Sequence, residues 1–212
     1  MRSAPPLGYE LRVLEDSKTI FEKDIAIQMR DGIRLYADLY RPIDSIAAKT
    51  PTLVLFFPFG KHGAVPAELF KNMGVDFSRL SKYTRWELPD PLKWCPEYQY
   101  SLLIVDARAT WHSEGEIAYW FSPEEGRDGY EIVEWTAQQS WNTGKVGWGA
   151  ISYFAMSAYQ VAALKPPHLA AIMLWEGISD TYREVCSVGG IPTPTFQHFW
   201  MGRTGNGLSY CE

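Results

Sequence analysis

The sequence predicts an α/β protein built on one mixed sheet, and three observations carry that reading. Two continuous apolar runs, "TLVLFF" at 52–57 and "YSLLIVDAR" at 100–108, have the length and composition of strands covered on both faces, and "LAAIMLWEG" at 169–177 reads as a third buried strand. Stretches with helical spacing separate them, which is the alternation of a mostly parallel sheet flanked by helices. Ahead of this pattern, "DIAIQM" at 24–29 and "IRLYADLY" at 33–40 alternate apolar and polar residues around the turn signal "RDG", so a hairpin joins the sheet antiparallel.

Taken in order, residues 1–20 read as a loosely attached arm, with Pro5, Pro6 and Gly8 followed by mixed charge, before a core over residues 21–179. Pro42 stops the hairpin. Residues 60–99 are rich in Gly, Pro, Lys and Trp; a connection that long is functional or carries short helices of its own. In "SPEEGRDGYEIVEWTAQQSW", Ser122 can cap a helix, Pro123 fits its first turn and Glu125 completes a capping box. The strand-like "KVGWGAI" then runs straight into the helix-like "YFAMSAY", and Pro166-Pro167 ends that helix. Residues 180–212, with Gly189, Gly190, Pro192 and Pro194, read as helix or loop without a further buried strand.

Bulk properties narrow the function classes. The 212 residues carry a net charge of −5, are 46% hydrophobic and 21% charged, and include 15% aromatics, which suits a large core or an apolar pocket. The acidic balance and the lack of a Lys/Arg cluster argue against nucleic acid as a partner. The N-terminus has no apolar core of a secretory signal, and no run approaches the ~18–20 apolar residues of a membrane span. Cys95, Cys186 and Cys211 are odd in number and lack C-x-x-C spacing, so neither a metal nor a disulfide framework is expected and a reducing, cytoplasmic setting is. Nothing in the pattern calls for a cofactor.

Ser152 is the residue that invites chemistry. A serine between a central strand and a helix has the placement of a nucleophile elbow, where the side chain stands above the sheet and the next backbone N–H faces the developing oxyanion. The small residues usual beside such a serine are altered, with Ala150 two positions before and Ala155 three after. From the residues alone, an ordinary strand-to-helix turn remains an alternative.

Six blocks in fixed order extend the comparison: "MRDGIRLYADLYRP", "FFPFGKHG", "YSLLIVDARATWHSEGE", "EEGRDGYEIVEWTAQQSWNTGKVG", "ISYFAMSAYQVAALKPPHLAAI" and "WEGISDTYRE". Over about residues 24–185 the chain resembles the X-prolyl dipeptidyl-peptidase and cocaine-esterase (CocE/NonD) family of serine hydrolases. The resemblance implies an α/β-hydrolase fold, here a partial one that stops at the start of a helical cap over residues 180–212. It also implies a Ser-His-Asp triad and small ester, amide or X-Pro peptide substrates.

Carried over by position, the resemblance puts the nucleophile on Ser152 and one oxyanion donor on the Tyr153 N–H. The family's second donor is a tyrosine hydroxyl in "P-Y-x-K"; the matching segment "PFGK" places Phe59 there, with no hydroxyl to give. Loss of one preorganised oxyanion donor costs about 10²–10³ in rate. The family's glycine-rich loop after the next strand appears as "DARATWHSEG", with Ala109 and Trp111 at glycine positions that serve positive φ or close approach. His62, His112, His168 and His198 are the histidines of the chain, and none matches the family's catalytic position. The expectation is therefore a serine hydrolase type that lacks its triad histidine and aspartate and is inactive alone. The alternatives are a non-catalytic remnant or binding module, or one half of a split hydrolase completed by a C-terminal chain; self-association is a further expectation.

Overall fold

A computed structural model describes residues 7–15, 18–63, 71–72, 74–117, 119–195 and 198. Its centre is a seven-stranded sheet of order β1-β2-β3-β5-β4-β6-β7. The strands are β1 (Glu10–Val13), β2 (Thr19–Gln28), β3 (Arg34–Pro42), β4 (Thr50–Phe57), β5 (Ser101–Asp106), β6 (Asn142–Ile151) and β7 (Leu169–Trp175). The first three and β5 pair antiparallel, whereas β5, β4, β6 and β7 run parallel. The helices are α1 (Pro91–Trp94), α2 (Pro123–Ala137) and α3 (Tyr153–Ala163). A short π-helical turn, Tyr182–Cys186, leads into a two-stranded ribbon of β8 (Ser187–Val188) and β9 (Ile191–Pro192). No described helix is long and apolar enough to cross a membrane.

Alternation along β4 and β5 explains why the central strands read as unbroken apolar runs. Val54, Phe56, Leu103 and Val105 face α2 and α3 in one core. Leu53, Leu55, Phe57 and Leu102 face the other way, toward Tyr83, Trp86 and Cys95 of the β4–β5 connection. Burial on both faces removes the polar half of the strand pattern, and each such side chain contributes roughly 1.5–3 kcal/mol. The long connection does carry short helices, a 3₁₀ turn at Phe77–Arg79 and α1. Helix α2 starts as its sequence dictates: Ser122 Oγ accepts the Glu125 N–H at 3.3 Å, and Pro123 occupies the first turn.

Two expectations need correction. The N-terminal arm is in part a strand, because Glu10–Val13 pair antiparallel with Ile20–Lys23 and extend the sheet. And "LAAIMLW" is not a buried strand: β7 lies at the end of the described sheet with most of its residues exposed, Trp175 at 61% and Ile172 at 39%. An apolar run marks a strand that belongs against other structure; it does not say that the covering element is present.

Candidate active site

Strand order fixes where a site can form. From β4 the chain moves to β5 on one side, and from β6 it moves to β7 on the other, so the connections leaving adjacent strands β4 and β6 diverge. A crevice opens outside the carboxyl ends at such a switch point, which is where ligands bind in open α/β sheets. Ser152 follows the last residue of β6, and Phe59 and Gly60 follow the last residue of β4.

Ser152 has φ 60° and ψ −121°, a conformation that glycine tolerates and serine does not adopt without support. Its N–H is held by Trp175 C=O at 2.9 Å, and its C=O accepts from Ala155 and Met156 N–H at 3.0 Å as α3 begins. Its hydroxyl caps no backbone group. The chain reverses sharply at a residue whose side chain takes no part in closing the turn, as a nucleophile elbow requires. Gly149, with φ 123°, makes the approach to β7 possible, since a Cβ there would lie 2.1 Å from Met173 O. Ala155 fits because Gly177 lies opposite; a Cβ on Gly177 would stand 3.0 Å from the Ala155 methyl.

On the β4 side, the Phe59 ring is buried and meets the Tyr153 and Phe57 rings edge-on, each at a centroid distance of 6.0 Å. Ala109 (φ 59°) and Trp111 (φ 53°) both hold the left-handed conformation that glycine would supply freely. The Trp111 indole lies flat against Gly60, where an added Cβ would come within 1.8 Å of Cε2. The loop after β5 therefore packs against the backbone that leaves β4. Five of the non-glycine residues with positive φ, Ala109, Trp111, Phe121, Ser152 and Glu176, lie in the segments that directly follow β5, β6 and β7. Strain of this kind, about 1–3 kcal/mol per residue, clusters where function requires it.

Beneath Gly60 the fold assembles a charge cluster that sequence spacing did not reveal. Lys61 Nζ lies 2.8 Å from Asp24 of β2 and 3.2 Å from Asp106 at the end of β5, and the Lys61 N–H donates to Asp106 at 2.6 Å. His62 Nε2 lies 2.7 Å from Asp38 of β3, whose other oxygen accepts the Asp24 N–H at 3.0 Å. Desolvation pushes Asp106 up to about 6, against the pull of the Lys61 ammonium; desolvation alone would lower Lys61, but the surrounding carboxylates raise it. Asp24, Asp38 and His62 bring ligand atoms within 4.8 Å of one another, a donor set that could hold a metal ion. The Lys61 ammonium already stands against that set as its cation, so the residues fit a structural ion cluster better than a metal site.

The remaining expected groups fall elsewhere. His168 Nδ1 pairs with Glu134 at 2.8 Å on the surface, His62 is committed to Asp38, and His198 is exposed. Neither His62 nor His168 directs its hydrogen bond to the Ser152 hydroxyl. Arg108 braces the loop by a bidentate bond to Asp128, at 2.8 and 2.7 Å, and by Asp31 at 2.6 Å. Glu125, which the sequence offers only as a helix-capping residue, is buried beside Tyr153 and accepts its hydroxyl at 2.6 Å. An acid in a helix's first turn, here between Glu124 and Gly126, carries no sequence signal for that partner.

Known proteins resemble this chain in sequence and in fold. Residues 31–208 match the family model described as X-Pro dipeptidyl-peptidase (S15 family). The chain belongs to this family. Among curated relatives, the cocaine esterase of Rhodococcus sp. (strain MB1 Bresler) is 28% identical over 186 residues, covering 87% of this chain and 29% of the relative. Among solved structures, a CocE/NonD family hydrolase from Staphylococcus aureus superposes with a TM-score of 0.80 at 34% identity, covering 97% of this chain and 38% of that one. An α-amino acid ester hydrolase, at 19% identity and a TM-score of 0.59, shares the fold over 79% of this chain and 26% of its own. The chain thus spans less than two fifths of the length of these relatives, and its sheet is part of an α/β-hydrolase fold.

Proposed function

We propose that this chain carries the nucleophile of a serine hydrolase that acts on ester or X-Pro-like amide bonds. The observation that carries the reading is the backbone of Ser152, φ 60° and ψ −121° between β6 and α3, with the hydroxyl uncommitted at the switch-point crevice. In the proposed reaction, Ser152 Oγ attacks the substrate carbonyl, and the Tyr153 N–H at the start of α3 donates to the oxyanion. Collapse of the tetrahedral intermediate expels the alcohol or amine, which takes up the proton that a general base removed from Ser152, and leaves an acyl-enzyme that water hydrolyses. The similarity to a cocaine esterase supports the ester class.

The serine needs a base. His62 and His168 are held by Asp38 and Glu134, so neither is offered to Ser152. The reading therefore assigns the histidine and its aspartate to polypeptide other than the described residues, as in a split or longer hydrolase. Phe59 supplies no hydroxyl to the oxyanion, so the chain alone should hydrolyse p-nitrophenyl acetate at no more than a trace rate. Ser152→Ala should barely change that rate, because a serine without its histidine keeps only residual catalysis. Adding a polypeptide that carries the family's later strands, aspartate and histidine should produce turnover that Ser152→Ala abolishes. Ser152-independent turnover in the completed protein would remove the nucleophile from Ser152, and no turnover at all would favour a non-catalytic remnant.

A further inference from the structure

Glu125 is more deeply buried than helix capping requires. Its residue is 2% exposed, and no cation pairs with it among the described residues. One carboxylate oxygen accepts the Tyr153 hydroxyl at 2.6 Å and the other accepts the Phe121 N–H. These two donors share a feature. Phe121 holds a left-handed backbone at φ 59°, and Tyr153 directly follows Ser152 at φ 60°. Strained residues persist where their surroundings over-determine them. Here a single carboxylate is bonded to both strained segments, one ahead of α2 and one at the start of α3.

The aromatic packing tightens the link. Tyr153 lies between the Phe121 ring at 4.5 Å, the Trp120 ring at 6.0 Å and the Phe59 ring at 6.0 Å, so its phenol is directed at Glu125 by contacts on several sides. Burial pushes Glu125 up to about 7, while the bonds from Tyr153 and Phe121 favour its ionised form. Ser122 contributes backbone hydrogen bonding, and Asp128 on the same helix repels but is itself paired with Arg108 and Arg30. Both oxygens face donors in this geometry, which the ionised carboxylate satisfies in full.

We propose that Glu125 is a positioning residue for the nucleophile. Its carboxylate clamps the left-handed turn at Phe121 to the elbow at Ser152 through the Tyr153 phenol, and so fixes the Tyr153 N–H that faces the oxyanion. The catalytic part of this inference rests on the reading of Ser152 given above; the clamp itself is a property of the fold.

Two variants test it in the full chain. Glu125→Gln keeps the shape but offers one acceptor where two are used, and Tyr153→Phe keeps every ring contact but removes the phenol. Amide hydrogen exchange should quicken about tenfold in both 119–126 and 150–157 in either variant, while the 25–40 hairpin keeps its wild-type protection. If Tyr153→Phe loosens only 150–157, or if exchange rises evenly along the chain, the clamp is wrong. Should Glu125→Gln fail to fold, Tyr153→Phe decides alone. In a completed protein with Ser152-dependent ester hydrolysis, both variants should lower kcat by about 10–100-fold and leave KM within about twofold. An unchanged kcat in that protein overturns the positioning role. Absence of any Ser152-dependent hydrolysis in the wild type overturns the nucleophile reading instead, and exchange still decides the clamp.

Discussion

At Ala109 the backbone sits at φ 59° with little side chain to gain from it, and two positions on Trp111 repeats the conformation at φ 53°. The demand for positive φ at Ala109 and Trp111 was legible in the sequence. What the sequence did not show is that the Trp111 indole uses the bare face of Gly60, so its strain is offset by packing. Ala109 has no such return. Ala109→Gly should therefore raise stability by about 0.5–1 kcal/mol, visible as a higher urea midpoint at unchanged slope. An equal or lower midpoint would mean that the loop has relaxed around the methyl. Trp111→Gly should not stabilise, because it removes the indole along with the strain.

Glu125 gives a pH test at the same scale. Desolvation holds its folded value at about 7, above the ordinary glutamate value of 4.5. Below pH 4.5 the group is neutral in both states, and between 4.5 and 7 the folded protein binds a proton that the unfolded chain does not. Stability from this group is thus present at low pH and is lost as pH rises through 7, by about 3 kcal/mol. Glu125→Gln should remove that slope. The stability difference between wild type and variant, from denaturant unfolding at pH 4.5 and at pH 8, should shift by about that amount toward the variant at the higher pH. A difference that does not move with pH would show that Glu125 titrates normally.

Among the elements, the β6–α3 elbow was the most readable, since "KVGWGAI" and "YFAMSAY" change period at Ser152. The charge cluster was the least readable. Asp24, Asp38, Lys61 and Asp106 come from four separate parts of the chain, and only the order β2-β3-β5-β4 brings them together. The elbow also hid its own requirement at Gly149, where φ is 123° and a Cβ would meet the β7 backbone at 2.1 Å. Gly149→Ala should cost at least about 3 kcal/mol or detach β7, because a backbone oxygen has no other rotamer to adopt. Gly147→Ala is the control, since its nearest neighbour is Leu53 Cδ1 at 3.5 Å, and it should stay within about 1 kcal/mol of wild type. Equal thermal midpoints for the two variants would refute the argument that β7 docks through Gly149.

The whole molecule is uneven at its two faces and edges. Its centre is packed as tightly as the apolar runs implied, yet β7 presents Ile172 and Trp175 to solvent, and no described strand pairs with its outer edge. The sequence predicted the strand, because it records what β7 is made to pack against, and mispredicted the burial for the same reason. Unpaired N–H and C=O groups beside exposed apolar side chains form a template for another strand. A net charge of −5 spread over the chain gives only weak repulsion between copies at physiological salt. The purified chain should therefore self-associate, with a sedimentation coefficient that rises with concentration. Ile172→Lys combined with Trp175→Lys places charge on that strand without touching a buried contact, and should shift the distribution to monomer while leaving the unfolding midpoint of the monomer unchanged. A wild-type chain that stays monomeric across the accessible concentrations, with cooperative unfolding, would show that β7 is covered by residues outside those described. An associated state that survives both lysines would move the contact to another surface, with the exposed Leu11 and Val13 of β1 at the opposite end of the sheet as the next to charge.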